Sequence, residues 1–190
     1  MKHKNDIRAH FLRLRNDISE SDRQQAALKV VDILSTHPAF ATSMHIACYL
    51  AHKKEFETMP IIETLWRLGK KCYLPVLCEG KTLAFVQYEQ GDELTANQYS
   101  IPEPKNFAKK IPSEKLDMII MPLVAFDHYG RRLGMGGGFY DRSLAFTHLK
   151  QDKPQRVGLA FSLQQCEELP EDPWDVNLNS VITEKGIIVI

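Results

Sequence analysis

The run Asp117-Met118-Ile119-Ile120-Met121, closed by Pro122, most narrows how this chain can fold. After its first residue it is wholly apolar, and it lacks the alternation of a strand with one wet face. Such a segment reads as a strand buried on both sides, which requires cover on both faces of its sheet.

The flanking sequence supplies that cover. Ile7, Phe11, Leu14 and Ile18 recur at helical spacing and predict an amphipathic first helix. Ser19 with Asp22 is a capping signal for a second helix, with Ala26, Ala27, Val30, Val31 and Leu34 on its buried side and His37-Pro38 ending it. His45 to Leu50 reads as a strand. A helix capped by Thr58 runs through Leu68 and stops at Gly69, and Lys71 to Leu74 is a strand closed by Pro75. This strand–helix–strand unit predicts a parallel pair with a right-handed crossover. Further strands are predicted at Thr82 to Gln87, Arg156 to Phe161, Val181-Ile182 and Ile187 to Ile190, with helices at Phe139 to Leu149 and near Leu163 to Cys166. Residues 89 to 115 carry Pro102, Pro104 and Pro112 and read as a long irregular crossing. The alternation predicts α/β architecture, a three-layer α/β/α single domain over residues 1–190 with a mainly parallel central sheet.

Bulk properties exclude several functions. The 24 basic and 24 acidic side chains cancel, whereas a general nucleic-acid binder carries a basic excess. The one local excess is N-terminal, where Lys2, Lys4, Arg8, Arg13 and Arg15 face only Asp6. This is a solvated helix face, or a set of cations of which one or two reach an anionic ligand. Cys48, Cys72, Cys78 and Cys166 form neither a C-x-x-C pair nor a zinc spacing, and none of the seven histidines pairs at a metal spacing. With no signal-peptide core and no apolar run of about 20 residues, a soluble cytoplasmic protein is expected.

Chemistry concentrates in one place. Gly134, Gly136, Gly137 and Gly138 put four of the ten glycines within five positions. Glycines let backbone N–H groups close on an anion, and the helix predicted to follow adds unpaired donors. Arg131, Arg132 and Arg142 flank the loop with rigid donor forks, and Asp127 and Asp141 are carboxylates beside a prospective polyphosphate. No Gly-Lys-Ser/Thr follows, so the loop is not a P-loop. It lies too far from Pro122 to be a dinucleotide fingerprint.

The run Arg132-Leu133-Gly134-Met135-Gly136-Gly137-Gly138-Phe139-Tyr140-Asp141-Arg142 closely resembles the glycine loop of 5-formyltetrahydrofolate cyclo-ligases, also called methenyltetrahydrofolate synthetases. The resemblance extends over almost the whole chain. Lys4 with Arg8 is similar to that family's N-terminal Lys-x-x-x-Arg, Glu55-Phe56-Glu57-Thr58 to its Glu-x-x-Thr element, and Trp174-Asp175 with Thr183-Glu184 to its C-terminal element.

The resemblance implies a fold of the NagB/RpiA/CoA-transferase kind. It also implies conversion of 5-formyltetrahydrofolate to 5,10-methenyltetrahydrofolate, with ATP as co-substrate and Mg2+ as cofactor. ATP is then expected on Lys4, Arg8 and the run Arg132, Leu133, Gly134, Met135, Gly136, Gly137, Gly138, Phe139 and Tyr140. The folate is expected against Leu50, Glu55 and Met135 to Phe139, the metal on Asp141 and Asp175, and catalysis on Arg132, Tyr140 and Arg142. Three positions depart from the family pattern. Met135 is often basic or aromatic in relatives, Phe139 replaces the first of a tyrosine pair, and Asn179 replaces a second aspartate.

The partners expected are small molecules only, with neither nucleic acid nor membrane, and the chain is expected to be a monomer. No enzyme nucleophile is expected, since phosphoryl transfer asks chiefly for positioning and charge. Two alternatives stay open at this point. One is a phosphorylated-substrate isomerase or CoA-transferase-like enzyme on the same fold, the other a non-catalytic folate- or nucleotide-binding module.

Overall fold

A computed structural model describes residues 3–149 and 154–190; Lys2 of the basic N-terminal group lies outside them. In chain order the elements begin with helices α1 (Lys4–Asn16) and α2 (Glu20–Ser35), strand β1 (His45–Ala47), helix α3 (Met59–Arg67) and strands β2 (Lys71–Cys78) and β3 (Thr82–Gln87). The hairpin strands β4 (Leu94–Ala96) and β5 (Pro102–Pro104) follow, then β6 (Lys110–Ile111), β7 (Met118–Pro122), β8 (Ala125–Phe126) and β9 (Arg132–Leu133). Helix α4 (Phe139–Ser143) leads to β10 (Gln155–Leu159), β11 (Ser180–Thr183) and β12 (Gly186–Val189).

Eight strands form one sheet in the order β12-β11-β10-β7-β1-β2-β3-β6. The five from β11 to β2 are parallel, and antiparallel strands close both sides. Burial of β7 on both faces is visible in its side chains. Met118 and Ile120 pack with α2 and α3, while Ile119 and Met121 pack on the other face with Phe126, Leu144, Val176 and Leu178. A third cluster sets Ile7 and Phe11 of α1 on Val124, Ala125, Leu133 and Leu169.

Several local expectations need correction. Leu14 of α1 is half exposed and Arg15 is buried in its place. Thr58 does not cap α3: its hydroxyl donates to the Tyr49 carbonyl at 2.5 Å, and Glu57 accepts from the N–H groups of Thr58 and Met59. Pro75 does not end β2. The Tyr73 carbonyl faces β1, accepting from Cys48, while the Cys72 carbonyl faces β3, accepting from Tyr88. Pro75 is in phase with Tyr73, beyond the last residue of β1, so its missing N–H breaks no ladder bond. Within 89–115 stand the β4–β5 hairpin and β6. The helix predicted from Phe139 to Leu149 is five residues long and then tightens into a 3-10 turn, Ala145–His148. Ser19 caps α2 as expected, accepting from the Asp22 N–H at 3.1 Å.

Strand order fixes where a ligand can sit. From β1 the chain winds to β2 on one side, and from β7 to β10 on the other, so β1 and β7 flank a switch point. In open parallel sheets the crevice outside the carboxyl ends of such strands is where ligands bind. No helix among the described residues is long and apolar enough to cross a membrane.

Candidate active site

A cleft of about 1080 Å³ opens at that switch point. Its floor comes from the ends of the strands and the segments leaving them: Tyr49, Leu50 and Glu55 after β1, Leu74 and Pro75 in β2, Pro122 at the end of β7 and Leu123 and Val124 after it. Gln164 ties this floor down, donating from its amide to the Leu123 and Val124 carbonyls at 3.0 and 2.9 Å. Every residue from Arg132 to Arg142 lines one wall. Lys4 and Arg8 reach in from α1, and Asp172, Trp174 and Asp175 from the loop before β11.

The glycine stretch leaves β9 and enters α4 through two residues in the left-handed region, Gly136 at φ +94° and Gly138 at φ +67°. An L side chain is strained there. Arg8 donates from Nε to the Gly134 carbonyl at 2.7 Å, and Arg142 from Nη1 to the Gly137 carbonyl at 2.8 Å. Both arginines therefore brace the loop, and Arg142 is exposed. Because α4 has only five residues, its dipole adds little to the backbone amides.

Arg132 enters the same wall from β9. Its side chain is 6% exposed, and Nη2 donates to Asp141 Oδ1 at 2.6 Å. Its Nε is buried with no hydrogen-bond partner among the described residues. A buried donor left without an acceptor is costly unless a ligand satisfies it. Lys4 Nζ donates to Asp172 and Asp175, each at 2.7 Å. Burial works to lower the Lys4 ammonium pKa, but these bonds outweigh it and hold it above the ordinary lysine value.

Burial pushes the Glu55 carboxyl above the usual carboxylate range, against a bond from the His52 N–H and the charges of Arg15 and His52. Tyr140 is pushed up too, by burial first and then by Glu55. Leu50, Glu55, Tyr140 and the exposed Met135 share this part of the cleft.

Asp141 and Asp175, the two carboxylates expected to hold metal, line the same cleft. Each is paired with a cation, and no group of three or more metal-ligating side chains is assembled among the described residues. That donor set fits magnesium, which takes one or two protein carboxylates plus phosphate oxygens and water.

Two expected flanking residues lie elsewhere. Asp127 is fully buried and accepts from the N–H groups of Tyr129, Arg131 and Leu169, so it is a turn residue of the β8–β9 hairpin. Arg131 turns away to Glu168 and Glu171, each at 3.0 Å. Asn179 stands outside the cleft, its side-chain oxygen accepting from the Arg156 N–H at 2.9 Å. The tip of the β4–β5 hairpin was not singled out from sequence, yet Asn97, Tyr99 and Ile101 line the cleft. Tyr99 is 49% exposed and meets the Phe139 ring edge-on at 6.0 Å. Asn97 holds the tip, its oxygen accepting from the N–H groups of Tyr99 and Ile101. The signal was the turn chemistry of Asn97 and an aromatic just ahead of Pro102 in a polar stretch.

Comparison with known proteins places this cleft in context. Residues 1–184 match the 5-formyltetrahydrofolate cyclo-ligase family. A 5-formyltetrahydrofolate cyclo-ligase of Escherichia coli K12 is 40% identical over 176 residues, covering 91% of this chain and 96% of that one. Its counterpart from Haemophilus influenzae is 38% identical over 179 residues, covering 93% and 91%. The solution structure of Aquifex aeolicus 5,10-methenyltetrahydrofolate synthetase superposes with a TM-score of 0.83 at 33% identity, covering 98% of this chain and 92% of that one.

Proposed function

Because the chain belongs to the 5-formyltetrahydrofolate cyclo-ligase family, we propose that it converts 5-formyltetrahydrofolate to 5,10-methenyltetrahydrofolate at the expense of ATP, in the cleft where β1 and β7 diverge. The observation that carries this reading is the lining of that cleft by the whole glycine stretch together with Arg132, whose buried Nε awaits an acceptor. Triphosphate oxygens are such acceptors. Lys4 and Arg8 lie on the same cleft to share the charge. The apolar and aromatic surfaces of Leu50, Met135, Phe139 and Tyr99 give the folate rings a place, with Glu55 accepting from the pterin N–H groups.

The chemistry follows from the weakness of a formamide as an electrophile. The formyl oxygen attacks the γ-phosphorus of ATP, the bond to the bridging oxygen breaks, and ADP departs. The carbon now carries a phosphate leaving group. The neighbouring folate amine attacks it, the five-membered ring closes, phosphate leaves with the former formyl oxygen, and the amine gives up its proton. Holding the two substrates in register is worth about 7–11 kcal/mol of barrier in favourable cases. Arg132, Lys4 and the backbone amides of residues 134–138 meet the charge spread over the transferring phosphoryl oxygens. Arg142 keeps the loop in shape through Gly137, and Tyr140 closes the cleft beside Glu55. Asp141 and Asp175 would hold a magnesium ion, which would add further neutralisation of the phosphate charge.

The test is optical. The protein is mixed with 5-formyltetrahydrofolate and Mg-ATP, and the methenyl chromophore is followed in the near ultraviolet. Growth that requires ATP is expected; growth without ATP, or ATP binding with no growth, overturns the reading.

A further inference from the structure

Lys4 is held by two carboxylates at once. Its ammonium lies 2.7 Å from Asp172 Oδ2 and 2.7 Å from Asp175 Oδ2, and the Asp172 N–H donates to that same Asp175 oxygen at 2.9 Å. A turn closed by the Asp175 N–H on the Asp172 carbonyl sets the pair side by side. Beside it, Arg132 is paired with Asp141, which also accepts from the N–H of Val176, the residue after Asp175. Two of the three cations assigned to the triphosphate, Lys4 and Arg132, are thus already paired with carboxylates, while Arg8 is held by the Gly134 carbonyl and Asn5; Asp141 and Asp175 among those partners are the carboxylates assigned to the metal. Asp172 belongs to neither set. At 43% exposure it stands nearer solvent than Lys4 or Asp175, at 23% and 20%.

A bare triphosphate entering this cleft has to draw Lys4 away from two carboxylates and then lie against them. A triphosphate carrying a divalent cation brings a counter-ion for Asp175 and Asp141, so their cations are released as the metal is taken up. Asp172, side by side with Asp175, is left unpaired against a bare triphosphate once Lys4 turns to the phosphates, whereas a metal on Asp175 offsets its charge. We propose that Asp172 is a specificity-determining residue: by competing for Lys4 it makes the cleft select the metal-complexed triphosphate over the free one. This rests on the nucleotide reading of the cleft given above.

Calorimetric titration of the full chain with ATP, once in excess chelator and once in saturating magnesium, reads the selectivity as a ratio of affinities. In Asp172→Asn, metal-free ATP is expected to bind about two- to fivefold tighter, the size of a partly exposed ion pair. Mg-ATP should change less, so the ratio falls. Asp172→Glu keeps the charge and should keep the native ratio. An unchanged or larger ratio in Asp172→Asn, or an equal fall in Asp172→Glu, overturns the role given to Asp172. Native protein that binds neither form would refute the nucleotide site itself. Native protein that prefers Mg-ATP, with Asp172→Asn unaltered, would refute Asp172 alone.

Discussion

Arg132 Nη2 stands 2.6 Å from Asp141 Oδ1, which also accepts from the Val176 N–H at 3.2 Å. One carboxylate oxygen thereby joins the strand before the glycine stretch, the helix after it and the C-terminal loop. Removing Arg132 leaves this partly buried carboxylate without its cation and takes a cation from the cleft lining. Arg132→Ala is expected to raise the KM for ATP by about tenfold to a hundredfold, the range for charged hydrogen bonds. The KM for 5-formyltetrahydrofolate should move less. Steady-state kinetics with each substrate varied decide it, and an effect confined to the folate would sink the assignment.

Tyr99 offers the complementary case. It stands at the β4–β5 tip with its ring against Phe139 and has no charged group to offer, so it should serve the ring system and not the phosphates. Tyr99→Ala is expected to raise the folate KM by about two- to tenfold, the worth of one aromatic contact, and to leave the ATP KM unchanged. Tyr99→Phe should stay near native. Equal losses for both substrates would place the residue in loop folding instead.

Glu55 should leave a mark on the pH profile. Burial raises its pKa above the ordinary carboxylate value, so the carboxyl takes up a proton earlier on acidification than an exposed glutamate would. Folate affinity is expected to fall as pH drops through that raised value, and Glu55→Gln should abolish this acid limb. The linkage to stability has the opposite sense. The folded state holds the proton more tightly than the unfolded one, so the penalty of burying the charge grows as pH rises from about 4.5 to the raised value. Urea midpoints of native protein and Glu55→Gln across that range test the second half. A native folate profile with no acid limb would remove the role given to Glu55.

His37 titrates far from the cleft. Its Nδ1 accepts from the Ala39 N–H at 3.2 Å and its Nε2 lies 3.0 Å from Ser180 Oγ, so the neutral ring joins the end of α2 to β11. Burial lowers its pKa from the ordinary 6.5. The unfolded chain then binds the proton first. This contribution to stability is complete above about 6.5 and drains away as pH falls from there toward the lower folded value. Urea midpoints at about pH 7.5 and pH 5.5 should fall more for native protein than for His37→Gln; parallel falls would refute the assignment.

What was legible in the sequence follows from how local each cause is. The Ser19 cap, the doubly buried β7 and the β1–α3–β2 unit depend on neighbours in the chain, and all three are present. So does the glycine stretch, whose two left-handed residues only glycine takes without strain. Errors arose where a distant segment supplied the partner. Thr58 looked like a cap until the Tyr49 carbonyl took its hydroxyl. Asp127 looked like a carboxylate beside the phosphates, but the Leu169 N–H and its own turn occupy it. Arg131 and Arg132 are adjacent in sequence, and the pleat of β9 sends one to Glu168 and Glu171 and the other into the cleft. Pro75 was read as a strand end because sequence does not reveal how far β1 runs beside it.

By itself the sequence determined the layers, the glycine-rich loop and the family to which the chain belongs, since periodicity and backbone freedom are properties of short segments. Strand order was decided only in three dimensions. It is set by which apolar faces bury together, and it alone creates the switch point that brings Lys4, Glu55, Tyr99, Arg132 and Asp175 to one cleft. The pairing of Lys4 with Asp172, 168 residues apart, has no local signature, because an ion pair answers to distance in space and not to spacing along the chain.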